Sequence, residues 1–115
     1  MNTYVIRGYG AGELRIDDTP YHGAVLLSAA TVGNDPETLD FSVFMAIDSK
    51  RILALDPELV LLGTGPRQIF PAAAFGAQFL RLGIGFEVMD TGAACRTFNV
   101  LVAEQRRVVA WLFLP

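Results

Sequence analysis

Gly63-Thr64-Gly65 and Asp90-Thr91 are the two places where this sequence can gather backbone donors and charged side chains around a small ligand. The first follows the apolar run Glu58–Leu62 and the second follows Phe86–Met89, and a helix-like pattern succeeds each. Glycine lets a ligand approach the backbone closely. The first N–H groups of a helix, at the positive end of its dipole, attract anions. Arg67 and Arg96 can add charge-assisted forks, and Asn99 lies one turn beyond Arg96 on the same side of its helix. The candidate ligand or partner site is therefore Gly63, Thr64, Gly65, Arg67, Asp90, Thr91, Arg96 and Asn99. The competing reading is structural: a tight glycine turn, an ordinary helix cap at Asp90 or Thr91, and an Arg/Asn pair that ties loops together.

Stronger chemistry is not spelled out. A Walker loop needs four residues between its glycines and then Lys-Ser/Thr, and the dinucleotide fingerprint needs glycine where Gln68 stands. Pro66 removes one N–H that such a loop would aim at phosphate. Cys95 falls in the first turns of the second helix, where the dipole can lower a thiol pKa. A nucleophile also wants a base, and His22 is the sole histidine. The apolar neighbours of Cys95 make it inert packing instead. One cysteine and one histidine exclude an intramolecular disulfide and a four-ligand zinc site. No catalytic residue, metal or cofactor is expected.

The chain of 115 residues is expected to form one domain, 1–115. It is 52% hydrophobic and 18% charged, against about 25% charged in ordinary soluble domains. Elements buried on two sides, together with apolar surface covered by a partner, account for that balance. A net charge of −3 argues against a nucleic-acid surface, which needs a basic face. No basic start followed by a long apolar stretch opens the chain, so no secretory signal is expected. The run Val108–Leu114 is far shorter than the roughly 20 residues of a membrane helix. The expected setting is cytoplasmic.

The elements that must position the site follow from periodicity. Thr3–Tyr9, Glu13–Asp17 and Tyr21–Ser28 read as strands joined by glycine turns and by Asp18-Thr19-Pro20, which suggests antiparallel hairpins. Residues 33–40 read as a polar surface loop, and Phe41–Phe44 as a brief strand or an extended edge. Asp48-Ser49 caps a short helix over Lys50–Leu55, which Asp56-Pro57 stops. Two strand–helix units follow, with strands at 59–62, 86–89 and 108–114 and helices near 71–82 and 92–105. Pro71 suits the first helical position, Phe75, Phe79 and Leu82 share one face, and Gly83 takes the left-handed position that ends the helix. Ala94, Cys95, Phe98, Leu101 and Val102 form the apolar face of the second helix, and Gln105-Arg106-Arg107 suit its negative end. The first two strands should be parallel, because a helix crosses between them. The fold class is α/β, with a mixed central sheet holding parallel βα units and an amino-terminal β-hairpin.

The order Ile6-Arg7-Gly8-Tyr9-Gly10, Leu61-Leu62-Gly63-Thr64-Gly65, Met89-Asp90-Thr91, Ala93–Leu101 and Glu104–Val108 resembles a known family. It is the small single-domain family of unknown function that includes the mitochondrial complex I (NADH dehydrogenase) assembly factor 3. The resemblance spans nearly the whole chain. It implies a three-layer α/β fold with a mixed central sheet and an added β-hairpin, and it implies no established catalytic activity. It also implies work with a protein partner during assembly, and a shared surface at the positions quoted. The combined reading is a non-enzymatic interaction protein, assembly-factor or chaperone-like, with a protein partner and scope for homo-oligomers. The alternative is a small-molecule or anion-binding protein, or a weak enzyme, using the crevice between the two loops.

Overall fold

A computed structural model of the chain describes residues 3–10, 12–37 and 49–115. Two sheets and three helices are assembled from them. β1 (Ile6–Gly10), β2 (Glu13–Ile16) and β3 (Thr19–Tyr21) form an antiparallel sheet in that order. β4 (Ala24–Ser28), β5 (Val32–Asp35), β6 (Leu59–Gly63), β7 (Gly85–Met89) and β8 (Val108–Leu112) form the central sheet, ordered β5-β4-β8-β6-β7. β6 runs parallel to both β7 and β8, and β4 runs antiparallel to β5 and β8, so the sheet is mixed as expected.

Alternation along the strands divides the core into two layers. In β8, Val108, Ala110 and Leu112 join Ile6, Leu14 and Ile16 of the first sheet on one face. Ala94, Cys95, Phe98 and Val102 of α3 (Thr91–Ala103) cover that same face. Val109, Trp111 and Phe113 point the other way, towards Ile52 of α1 (Ser49–Leu53) and Phe79 of α2 (Ala73–Leu80). A strand buried on both faces reads as a continuous apolar run rather than an alternation, which explains the sequence Val108–Leu114.

Several expected boundaries move. The reversal after β2 lies at Asp17 (φ 51), and Pro20 sits within β3 opposite Arg15. An edge strand tolerates proline because its outward N–H needs no partner. The expected strand Tyr21–Ser28 is split at Gly23 (φ +82), where a Cβ would lie 2.3 Å from the Asp35 carbonyl oxygen. Residues 33–35 are not loop but part of β5, held by Asn34 Nδ2 donating to the His22 and Ala24 carbonyls (2.8 and 3.2 Å). Residues 38–40, the strand Phe41–Phe44 and the Asp48 cap lie outside the described residues. Ser49 is already helical, and α1 stops at Leu53.

Pro71 precedes the helix rather than opening it: α2 begins at Ala73 after Ala72, which has no capping side chain. Phe75 and Phe79 do face the core, but Leu82 lies past the helix end and is 63% exposed. Gly83 adopts the left-handed conformation (φ +76). α3 closes at Ala103, before its expected cations. Arg106 and Arg107 instead turn to Glu58 and Asp56, where Arg106 Nε lies 3.2 Å from Glu58 Oε2 and Arg107 Nε 3.2 Å from the Asp56 carbonyl.

Candidate functional site

β6 and β7 end side by side, with Gly63 paired to Met89, so the loops that follow them meet. Gly63 is hemmed in: a Cβ there would lie 3.0 Å from Leu112 Cδ2 and from Thr91 Oγ1. Thr64 N–H donates to the Met89 carbonyl (3.0 Å). Its buried hydroxyl donates to the Arg67 carbonyl and accepts from Ile69 N–H (3.0 Å), which folds residues 64–69 into a closed loop. Gly65 (φ +98) accepts from Thr91 N–H (2.9 Å) and donates to Thr91 Oγ1 (2.8 Å). That hydroxyl in turn donates to the Phe113 carbonyl (2.7 Å). A fully buried threonine thus stitches three chain segments together.

At the start of α3, Asp90 Oδ1 accepts from Ala93 N–H (2.8 Å), as a helix cap does. Ala94 N–H reaches the Asp90 carbonyl, and Thr91 N–H is taken by Gly65. Gly92 lies under the Tyr9 ring, whose Cε2 would be 3.0 Å from a Cβ at that position. The donors an anion would need are therefore mostly engaged by the protein.

The remaining candidates diverge. Gly63, Thr64, Gly65, Asp90 and Thr91 are brought together, whereas Arg96 and Asn99 turn to β1. Arg96 is exposed and donates to the Tyr9 hydroxyl. Asn99 brackets Ile6, its Oδ1 accepting from Ile6 N–H and its Nδ2 donating to Ile6 C=O, both at 2.9 Å. Arg67 is exposed, and no hydrogen bond or ion pair to a described residue holds its side chain.

Cys95 is buried, and that burial pushes its thiol up to about 12, so it stays protonated at neutral pH. His22 is exposed, with Nδ1 3.2 Å from the Gly12 carbonyl. The Arg107 backbone N–H, and then the Arg106 side chain, hold the Glu58 carboxyl below its ordinary value. Arg106 and Arg107 rim a cleft of about 560 Å³ at the far end of α3, lined also by Ser28, Leu55, Val102 and Val108.

Sequence reasoning missed a second surface. An apolar groove of about 450 Å³ runs between α2 and β7, lined by Phe70, Pro71, Ala73, Gly76, Ala77, Leu80, Phe86 and Val88. Phe70 is 73% exposed and Leu80 is 61% exposed. A readable signal exists: in Ala73–Leu80 the one polar side chain is Gln78, so this helix has no polar face to give to water.

Comparison with known proteins agrees with this architecture. Residues 6–113 match the family model described as a protein of unknown function (DUF498/DUF598). The chain is 31% identical over 101 residues to the 13 kDa major membrane protein of Francisella tularensis subsp. holarctica, covering 87% of this chain and 82% of that one. It is 41% identical over 58 residues to NADH dehydrogenase [ubiquinone] 1 alpha subcomplex assembly factor 3 of Danio rerio, a match to 50% of this chain and 33% of that protein. The crystal structure of a Bordetella parapertussis protein superposes with a TM-score of 0.87 at 29% identity, covering 100% of this chain and 98% of that one. No helix among the described residues is long and apolar enough to cross a membrane.

Proposed function

The chain belongs to the DUF498/DUF598 family of proteins of unknown function, and from that premise we propose that it is a non-enzymatic interaction protein of the assembly-factor or chaperone-like kind. The observation that carries this reading is the apolar face of α2, continuous with Ile69, Phe70 and Pro71 and open to solvent. Contiguous exposed apolar surface marks contact sites, and aromatic anchors such as Phe70 supply much of their energy. The partial likeness to an assembly factor supports the same reading. The one thiol is buried and protonated, so Cys95 offers no nucleophile.

A small-molecule or anion site at Gly63–Gly65 and Asp90–Thr91 is the second reading. The exposed Arg67 guanidinium, without a partner among the described residues, favours it. Arg96 would have to leave Tyr9 to contribute, and Asn99 would have to release Ile6.

Affinity capture from the native cell separates the two. A discrete partner should be retained by the wild-type chain and lost by Phe70→Asp, which alters a mostly exposed side chain. Undiminished capture by that variant, or saturable metabolite binding abolished by Arg96→Ala, would overturn the interaction reading. A cytoplasmic location belongs to the proposal, and fractionation of the native cell checks it against the membrane-named relative.

A further inference from the structure

Among the described residues β7 is the outer strand of the central sheet, and its outward backbone groups can be traced from their neighbours. Gly85 N–H donates to the Glu58 carbonyl and Met89 C=O accepts from Thr64 N–H, so residues 85, 87 and 89 face β6. Backbone direction alternates along a strand, which turns the groups of Phe86 and Val88 away from the sheet. Two outward groups in this stretch are already covered. Ile84 N–H is bonded to the Phe79 carbonyl, and Gln68 Nε2 donates to the Val88 carbonyl (2.9 Å). Between them, Phe86 N–H, Phe86 C=O and Val88 N–H have no partner among the described residues. The side chains of Phe86 and Val88 line the apolar groove, while Glu87 stands exposed on the opposite face of the same strand.

We infer that this open edge, with the groove beside it, takes an extended segment of a partner protein in which a basic residue lies between two apolar ones. The segment adds to the sheet as a strand beyond β7. Strand addition draws affinity from main-chain hydrogen bonds and specificity from alternate side chains. Here the alternation is set by β7: apolar side chains of the guest fall on the groove face with Phe86 and Val88. The residue between them lies across from the Glu87 carboxylate, where an opposite charge is favourable and a like charge is not.

A second copy of the chain fits less well. A twofold pairing centred on Glu87 sets two carboxylates opposite each other. One centred on Phe86 sets Glu87 opposite Gly85 and leaves both carboxylates uncompensated. The net charge of −3 also favours encounter with a basic segment. The inference rests on the interaction reading above and names the chemistry of the partner segment.

The test uses the full chain and a short end-capped synthetic peptide alternating valine and lysine, with a valine–glutamate counterpart, both followed by fluorescence anisotropy. The lysine peptide should bind saturably and slow hydrogen exchange at the Phe86 and Val88 amides. Glu87→Lys, an exposed change that should leave the melting temperature in place, should weaken that peptide by about fivefold and reverse the preference between the two. Gln68→Ala, which frees the Val88 carbonyl, should tighten binding, and backbone N-methylation of the peptide should abolish it. Unchanged binding of the lysine peptide to Glu87→Lys, protection that maps elsewhere, or a dimer of the chain alone that Val88→Pro dissolves each overturns the inference. A cellular partner kept by Glu87→Lys and Val88→Pro but lost by Phe70→Asp also removes the edge, while the interaction reading stands. Peptide binding at the edge without any captured partner keeps the edge and removes that reading.

Discussion

Thr91 illustrates how a residue that looks like part of a ligand site can be committed to holding the molecule together. Its side chain and N–H make three hydrogen bonds, two with Gly65 and one with Phe113, in a place closed to water. Thr91→Val keeps the shape but strands the Gly65 N–H and removes the hydroxyl bond to the Phe113 carbonyl. Each unsatisfied buried group costs about 1–3 kcal/mol. Urea denaturation should therefore show a loss of about 2 kcal/mol or more for Thr91→Val, and a much smaller one for Thr91→Ser. A loss within experimental scatter for the valine variant would mean that the loops are not anchored this way. Cys95 gives a pH test. Its thiol is raised from 9.0 to about 12 in the fold, so the folded state holds that proton more tightly. The resulting stabilisation is complete below pH 9 and is lost as pH rises towards 12. The fall in melting temperature over that range should be shallower in Cys95→Ala, and the native thiol should resist disulfide reagents at neutral pH. The cap at Asp90 and the burial of Cys95 are legible because both depend on neighbours within a turn. The Asn99 bracket on Ile6 is not, because its partner lies 93 positions away in sequence.

At the scale of elements, α3 is legible and α2 only partly so. α3 opens on a side chain that can cap it and carries an unbroken apolar stripe. α2 opens within Pro71-Ala72-Ala73-Ala74, where no side chain can accept a hydrogen bond, so nothing marks its first residue. β5 is hidden for a different reason: Gly33, Asn34 and Asp35 have poor strand propensity. Pairing with β4 and the Asn34 side-chain bonds override it. Gly76 sets propensity against packing in the same way. Glycine inside a helix costs about 1 kcal/mol relative to alanine, so Gly76→Ala would stabilise an isolated α2. Here the added Cβ would come 2.6 Å from Phe86 Cδ2. That ring cannot swing freely, because it stacks on Phe79 at 5.6 Å and meets Phe75 edge-on at the same distance. Overpacking costs about 1–3 kcal/mol. Gly76→Ala should lower stability by about 1 kcal/mol, and a rise in melting temperature would show that α2 does not press on β7.

At the scale of the whole molecule, the order of strands in space determines when the fold can form. β8 is last in the chain yet lies between β4 and β6, antiparallel to one and parallel to the other. It brings side chains to both core layers, Ala110 and Leu112 to one and Trp111 and Phe113 to the other. The parallel pair β6–β7 is legible from its strand–helix–strand pattern, since a crossover helix demands it. The insertion of β8 beside β4 is not, because no local pattern states which of several apolar strands will be its neighbours. The consequence can be checked by removing residues 108–115. Without them β4 and β6 lose their shared neighbour, the sheet falls into two separate pairs, and each core layer faces water. Two-stranded pairs of this length are marginal by themselves. The shortened chain should show no cooperative melt by circular dichroism, and a peptide of residues 108–115 supplied in trans should restore one by filling the vacant lane. A cooperative transition in the shortened chain alone would show that β4–β5 and β6–β7, with their helices, fold independently of the strand that joins them.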